Sequence, residues 1–355
     1  MKATLRPYRV PLKHPLTTSY GTRTVREGLL LGVEEDGLVG WGEAAPMPGW
    51  SQHSRGVVTA RLDDVVSGLA GVEVPSGPDG LASIDEAFAG LIAVPEARAA
   101  VAGAMADLAA QRVGQPLASW LTAGTGRQER ETVTVHASLG SGPARTIAQD
   151  AIRATDAGFR ALKLKVGAMA PGDDIARVVA VRAAVGPGVE LRLDANGAWD
   201  LPTALDTLEA VAAADISFCE EPVAGIGPLA EVGARSAVPV AIDESARSPT
   251  DVAAALDTGS IGVVVLKPQA LGGPDIALEL AALVGRAGGT AVVTSMIDGA
   301  VGVAQAAHVA AVIGRETAHG LATSSLLGDD VADPLPVVDG RVSLRPAPGL
   351  GVSPT

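Results

Sequence analysis

The sequence predicts an α/β protein, a (β/α)8 TIM-like barrel with an N-terminal α+β capping domain, and three observations carry that prediction. From about residue 133 a β-branched run, a polar or Gly/Pro-containing break and an Ala/Leu-rich stretch with helical spacing recur in that order. The repeat is about 25 residues, the length that one strand, one helix and two short loops require. Residues 132–325 hold eight such strands with nothing left over, which suits a closed barrel better than an open doubly wound sheet.

Along the chain, residues 1–131 form the expected capping domain. "LLLGVEEDGLVGWGEAAP" (29–46) reads as a hairpin turning at Asp36-Gly37, and residues 84–112 read as Ala-rich helices. The barrel strands are expected in "TVTVHASLG" (132–140), "ALKLKVG" (161–167), "ELRLDANG" (190–197), "ISFCEEP" (216–222), "VPVAIDES" (238–245), "IGVVVLKP" (261–268), "AVVTSM" (291–296) and "AHGLATSS" (318–325). Asp200 followed by Pro202 marks the start of one intervening helix. A dinucleotide fold would need a third glycine in "GSGPAR" (140–145) and an acid placed for a ribose, and has neither. Residues 326–355, Pro/Gly-rich with an Asp339-Gly340 turn, are expected to return to the capping domain.

Composition narrows the function. With 355 residues and 47% apolar content the chain can bury a large core. A net charge of -13 leaves no basic footprint for nucleic acid. The single cysteine, Cys219, precludes an internal disulfide framework and fits a reducing compartment, so a cytoplasmic location is expected. The N-terminus is broken by charges and prolines rather than carrying the apolar centre of a signal peptide. The most apolar stretch, 299–314, contains Gln305 and His308 and is too short to span a membrane. The expected partner is a small molecule.

Active sites of such barrels lie at the C-terminal ends of the strands, and polar residues stand there on strand after strand. The second strand ends in Lys163 and Lys165, the third in Asp194, the fourth in Glu220 and Glu221, the fifth in Asp243 and Glu244, the sixth in Lys267, and the seventh in Thr294 and Ser295. Lysine occurs only five times in the chain, so three at strand ends is a strong concentration. Alternation puts Lys163 with Lys165, and Arg192 with Asp194, on one face of their strands. A lone Asp before Asn196-Gly197 is ordinarily a turn former. Three carboxylates converging from neighbouring strands would repel one another, and their convergence calls for a cation. Oxygen donors without His or Cys point to a hard ion, with Mg2+ preferred. Two lysines across such an ion suit proton transfer at a carbon next to a carboxylate, with repulsion and burial expected to lower a lysine pKa. A Lys base with Mg2+ on an enediolate is the general arrangement described for the enolase superfamily.

"KLK", "DAN", "EEP", "DES" and "LKP", in this order behind an α+β domain, resemble the enolase superfamily in its muconate-cycloisomerase-like branch, and within it the o-succinylbenzoate synthase family most. The resemblance implies Asp194, Glu220 and Asp243 as Mg2+ ligands, with Asn196, Glu221 and Glu244 behind them. It implies Lys165 as the acid/base, Lys267 as the cation that stabilises the intermediate, and Lys163 as support for Lys165. Lys163, Arg192 and Ser295 are expected to meet substrate, as are Thr294 and the loop around Tyr20 to Arg23. Dipeptide epimerases of the branch usually carry Asp-x-Asp after strand seven, whereas "TSMIDG" offers only Asp298, which disfavours an amine-bearing dipeptide. N-succinylamino acid racemisation and muconate cycloisomerisation remain alternatives, as does a barrel that binds a carboxylated metabolite without turning it over. His136, His308 and His319 read as structural, and Trp41 and Trp50 as loop residues that either close over the site or simply pack.

Overall fold

The computed structural model describes residues 1–18, 21–124, 128–313 and 316–355. The chain opens with an antiparallel sheet of β1 (Lys2–Thr18), β2 (Gly21–Glu35) and β3 (Leu38–Ala44). Asp36 (φ 52°) and Gly37 (φ 79°) both lie in the left-handed region, as a two-residue hairpin turn of the primed type requires, so the β2–β3 turn falls where the sequence places it. Helices α1 (Arg55–Gly68), α2 (Ser83–Ala87), α3 (Pro95–Arg112) and α4 (Leu117–Thr122) complete this domain. The small residues of α3 let it approach β3 so closely that a Cβ at Gly42 or Gly40 would collide with the carbonyls of Ala100 and Ala104. Gly is required in that strand by backbone contact.

The barrel strands are β5 (Ala137–Leu139), β6 (Ala161–Lys165), β7 (Glu190–Asp194), β8 (Ile216–Glu220), β9 (Val240–Ile242), β10 (Val263–Leu266) and β11 (Thr290–Val293), hydrogen-bonded in chain order. Each pairs in parallel with the next. Helices α5 (Ala144–Asp156), α6 (Pro171–Val185), α7 (Leu201–Val211), α8 (Ile226–Arg235), α9 (Pro249–Asp257), α10 (Pro268–Leu271), α11 (Pro274–Arg286) and α12 (Ala300–Val312) lie between and after them. Asp200 caps α7 by accepting the Thr203 N–H at 2.9 Å, with Pro202 in the first turn. Every residue of α12 is buried, which accounts for its apolar run, and no helix among the described residues is long and apolar enough to cross a membrane.

Two strands differ from expectation. The eighth is reduced to isolated parallel bridges, Val135 with His319 and Thr294 with Gly320, followed by a 3-10 turn (Thr323–Leu326) in place of a helix. Those bridges still join the two ends of the seven-stranded sheet and close the barrel. The segment is poor in β-branched residues, and Gly320 leaves room for Thr294, whose Cγ2 would lie 2.6 Å from an added Cβ. The first predicted strand divides. Thr132–Thr134 (β4) pairs with the tail hairpin of β12 (Val337–Val338) and β13 (Arg341–Ser343), and only Ala137–Leu139 enters the barrel. Beyond that hairpin the tail reaches the capping domain, where the Leu350 N–H donates to Asp107 at 2.8 Å and the Leu117 N–H to the Gly349 carbonyl at 2.8 Å.

A buried polar junction fixes the capping domain to the loop between β11 and α12. Glu43 accepts the Tyr8 hydroxyl at 2.6 Å, the Gly299 N–H at 2.7 Å and the Gly302 N–H at 2.8 Å, and so caps α12 across the domain boundary. Arg26 donates to the carbonyls of Ile297 (2.9 Å) and Pro46 (3.2 Å) and to that of Ala45, and lies 3.6 Å from Asp298. Ile297 has φ 60°, a strained conformation for a β-branched residue.

Candidate active site

Strand register builds the site. Lys165 pairs with Asp194, and Asp194 with Glu220, so these three form one row across β6, β7 and β8. Glu220 is level with Ala241, which leaves Asp243 just beyond the end of β9. Residues two positions earlier, Arg192 and Phe218, point the same way and fill the interior below, with the guanidinium 4.8 Å from the ring centroid. Phe218, Ala241 and Val292 form a small apolar cluster there.

All three carboxylates are buried and each meets an ammonium. Lys163 Nζ lies 2.7 Å from Asp194 Oδ2 and 3.0 Å from Glu220 Oε1. Lys165, 39% exposed at its side chain, donates to the same Asp194 oxygen at 2.5 Å and to Asn196 Oδ1 at 2.8 Å. Lys267 lies against both oxygens of Asp243. The acid row is thus flanked by Lys165 on one side and Lys267 on the other. Asn196, at φ 47°, also donates to Glu244 at 2.8 Å, and Glu221 accepts the Asp243 N–H at 2.9 Å and the Ser245 hydroxyl. Asn196, Glu221 and Glu244 therefore orient the lysine and the acids from behind.

The electrostatics correct one expectation. Burial works against charge on Lys163 and Lys267, but the surrounding carboxylates outweigh it and hold both above the ordinary lysine range. The lysines face acids rather than one another, so these shifts run opposite to the lowering expected from mutual repulsion. Burial likewise disfavours ionised Asp194, yet Lys163 and Lys165 overcome it and keep that carboxyl well below its usual range. At Glu220 burial wins, helped by the Asp194 charge, and its pKa is pushed up to about 8.

The chain matches known proteins over nearly its whole length. Residues 1–122 match the mandelate racemase/muconate lactonizing enzyme N-terminal domain, and residues 146–355 the enolase C-terminal domain-like family. The chain belongs to the enolase superfamily. It falls in the muconate-cycloisomerase-like branch. Among its relatives, o-succinylbenzoate synthase of Thermobifida fusca is 39% identical over 61% of this chain and 68% of its own. Muconate cycloisomerase 1 of Rhodococcus opacus is 30% identical over 97% and 92%. A dipeptide epimerase of Enterococcus faecalis, solved with Mg and L-Leu-L-Tyr, superposes with a TM-score of 0.91 at 28% identity over 99% of each chain. An N-succinyl Arg/Lys racemase of Bacillus cereus gives 0.89 at 25% identity over 100% and 96%.

In this enolase-superfamily enzyme the donor chemistry fits a hard cation: three buried carboxylates from successive strands, without His or Cys among them. As the side chains lie, ammoniums meet Asp194 Oδ2, Glu220 Oε1 and both oxygens of Asp243, and among the described residues no set of three or more acid, His or Cys groups stands in ligand spacing.

Not every expected contact reaches the rim. Arg192 is fully buried, and its nitrogens are committed to Glu190 (2.8 Å), the Ala318 carbonyl (2.6 Å), Thr317 (3.0 Å) and the ring of His136 (3.4 Å). It ties β7 to the short eighth strand. Arg192→Met is expected to lower stability in urea unfolding by about 2–4 kcal/mol, as loss of a buried charged hydrogen-bonding group does. A raised KM at unchanged stability would instead make Arg192 a substrate contact. Ser295 stands just beyond the end of β11 with its hydroxyl 2.7 Å from Thr323, and the neighbouring Thr294 hydroxyl is buried without a partner among the described residues. Tyr20 lies outside the described residues. Arg23 donates to the Pro48 carbonyl at 2.8 Å and steadies the loop that carries Trp50. Asp298 is turned into the domain junction. His308 accepts the Ala118 N–H at 3.1 Å and His319 the Val293 N–H at 2.9 Å, both as buried structural groups. Sequence reasoning missed Arg26, Glu43 and Arg247, which lie outside the strand-end pattern.

Proposed function

We propose that this enzyme is an o-succinylbenzoate synthase of menaquinone biosynthesis, which dehydrates 2-succinyl-6-hydroxy-2,4-cyclohexadiene-1-carboxylate to 2-succinylbenzoate in a Mg2+-dependent reaction. The observation that carries the reading is the acid row of Asp194, Glu220 and Asp243 with Lys165 and Lys267 at its two flanks. Asp194, Glu220 and Asp243 would hold Mg2+, which when bound supplies positive charge to the substrate carboxylate as the enediolate develops. Lys165, as the free amine, takes the proton from C1 and returns it to the departing 6-hydroxyl on the same face. Water leaves and the ring becomes aromatic. Lys267 keeps its proton and offsets the enediolate charge. Lys163, bonded to two of the acids, holds their positions.

The identity to the Thermobifida synthase supports this chemistry, and the single Asp298, paired with Arg26, offers no carboxylate pair for a dipeptide amine. The two-lysine arrangement and the likeness to the N-succinyl Arg/Lys racemase favour a second reading, racemisation of N-succinylamino acids. One preparation with Mg2+ tests both. The expected result is ultraviolet-detected formation of 2-succinylbenzoate, with any exchange of the α-proton of N-succinylamino acids in D2O much slower. Rapid exchange into both enantiomers with no dehydration would replace the synthase reading with the racemase.

A further inference from the structure

Arg247 stands in the loop after β9, a few residues beyond Asp243. Its Nε donates to the Glu244 carbonyl at 2.7 Å, and its backbone N–H to Asp251 at 3.1 Å, the residue that also accepts the Ser248 hydroxyl at 2.8 Å. Backbone and inner guanidinium nitrogen are thereby fixed. The two outer nitrogens have no hydrogen-bond or ion-pair partner among the described residues. An arginine held in this way presents a rigid fork of donors, the geometry that fits a carboxylate.

The fork does not stand alone. Trp50, from the capping domain, has its ring centroid 5.9 Å from Arg247 Cζ and 4.4 Å from Lys267 Nζ, so one indole joins the arginine to the lysine of the acid row. The Trp50 indole N–H is itself buried and without a partner among the described residues. Its loop is built rather than loose: Trp50 and Ser51 N–H groups bond the Met47 carbonyl at 3.0 and 2.7 Å, the Ser51 hydroxyl accepts the Met47 N–H at 2.9 Å, and Arg23 holds Pro48. Simple packing of Arg247 on the ring would explain the stacking. It leaves unused the two outer guanidinium nitrogens, which are unpaired among the described residues and lie across a single indole ring from Lys267.

We propose that Arg247 and Trp50 form a second carboxylate subsite, which binds the far end of a substrate whose first carboxylate lies at the Lys165–Lys267 row. This rests on the reading of that row as the reaction centre and narrows the substrate to a dicarboxylate with a flexible arm. A succinyl arm has this chemistry whether a cyclohexadiene ring or an amino acid carries it.

The test is calorimetric binding to the full chain with Mg2+. The probes are 2-succinylbenzoate and 2-butanoylbenzoate, which lacks the distal carboxylate, and N-succinyl- and N-butanoyl-phenylalanine as a second pair. Wild type is expected to prefer the succinyl member by about 10- to 100-fold, the range of a charge-assisted hydrogen-bonded pair. Arg247→Gln should remove that preference by weakening only the succinyl ligand, and Arg247→Lys should restore part of it. Trp50→Phe should lower it with the thermal midpoint unchanged. A preference that survives Arg247→Gln in a variant of wild-type thermal midpoint overturns the subsite. Preference within the phenylalanine pair alone, lost on Arg247→Gln, upholds the subsite while removing the synthase reading. No preference in either pair overturns the subsite and leaves the dehydration assay to judge the reaction.

Discussion

Lys165→Ala is expected to lower kcat for dehydration by about 10³-fold, within the range that loss of a general acid/base produces, with little change in thermal midpoint. The fold should tolerate the change because Asp194 keeps its contact with Lys163 at 2.7 Å, and Lys165 itself is partly exposed. Lys165→Arg should be equally inactive, since a guanidinium keeps the charge but does not release a proton near neutral pH. The contrasting substitution is Lys163→Ala, which strips a buried cation from both Asp194 and Glu220 and should destabilise the protein as well as inactivate it. Steady-state kinetics with a thermal melt of each variant separates the two roles. Retention of more than a tenth of wild-type kcat by Lys165→Ala would assign proton transfer to another group.

Glu43→Ala is expected to destabilise the enzyme by about 3–5 kcal/mol, because it leaves the Gly299 and Gly302 N–H groups and the Tyr8 hydroxyl buried without an acceptor. Urea unfolding at fixed pH measures this, and a cost under 1 kcal/mol would mean that water replaces the carboxylate. The same residue predicts a pH effect. Burial, reinforced by the Asp298 carboxylate, raises the Glu43 pKa from 4.5 to about 7. A carboxyl whose folded pKa is raised gives its full contribution below pH 4.5, where it is protonated in both states, and loses it as pH rises through 7. Wild-type stability should therefore fall relative to Glu43→Gln across that window. Parallel profiles for the two proteins would show that Glu43 does not titrate there.

The strand-end acids and lysines were legible because each barrel strand delivers its last inward residue to one rim, so Asp194 and Glu220 can be placed from alternation alone. The Asp36-Gly37 turn was legible for a local reason, the left-handed backbone that both residues accept. Spatial neighbours were not. Arg192 shares a face with Asp194, yet its partners Thr317 and Ala318 come from the far side of the barrel and draw the guanidinium away from the rim. Lys163 and Lys267 are shifted up rather than down because acids, not other lysines, lie against their ammoniums. Residues 318–325 have the length of a full strand in the sequence, whereas closure needs only two bridges. Glu43 meets Gly299 across 256 residues of sequence, a separation at which no periodicity operates.

That junction governs how the two halves of this protein can be exchanged. Ile297 keeps a left-handed backbone, a conformation that costs about 1–3 kcal/mol, while Arg26 holds its carbonyl and Glu43 caps the helix that follows. A capping domain grafted from a relative without both residues would release the loop at the end of β11 even if every lysine and acid of the barrel were retained. The unit of transplantation is therefore Tyr8, Arg26 and Glu43 together with residues 296–302, and a chimera that splits this set would lose the shape of the β11–α12 loop before it lost any lysine or acid of the barrel.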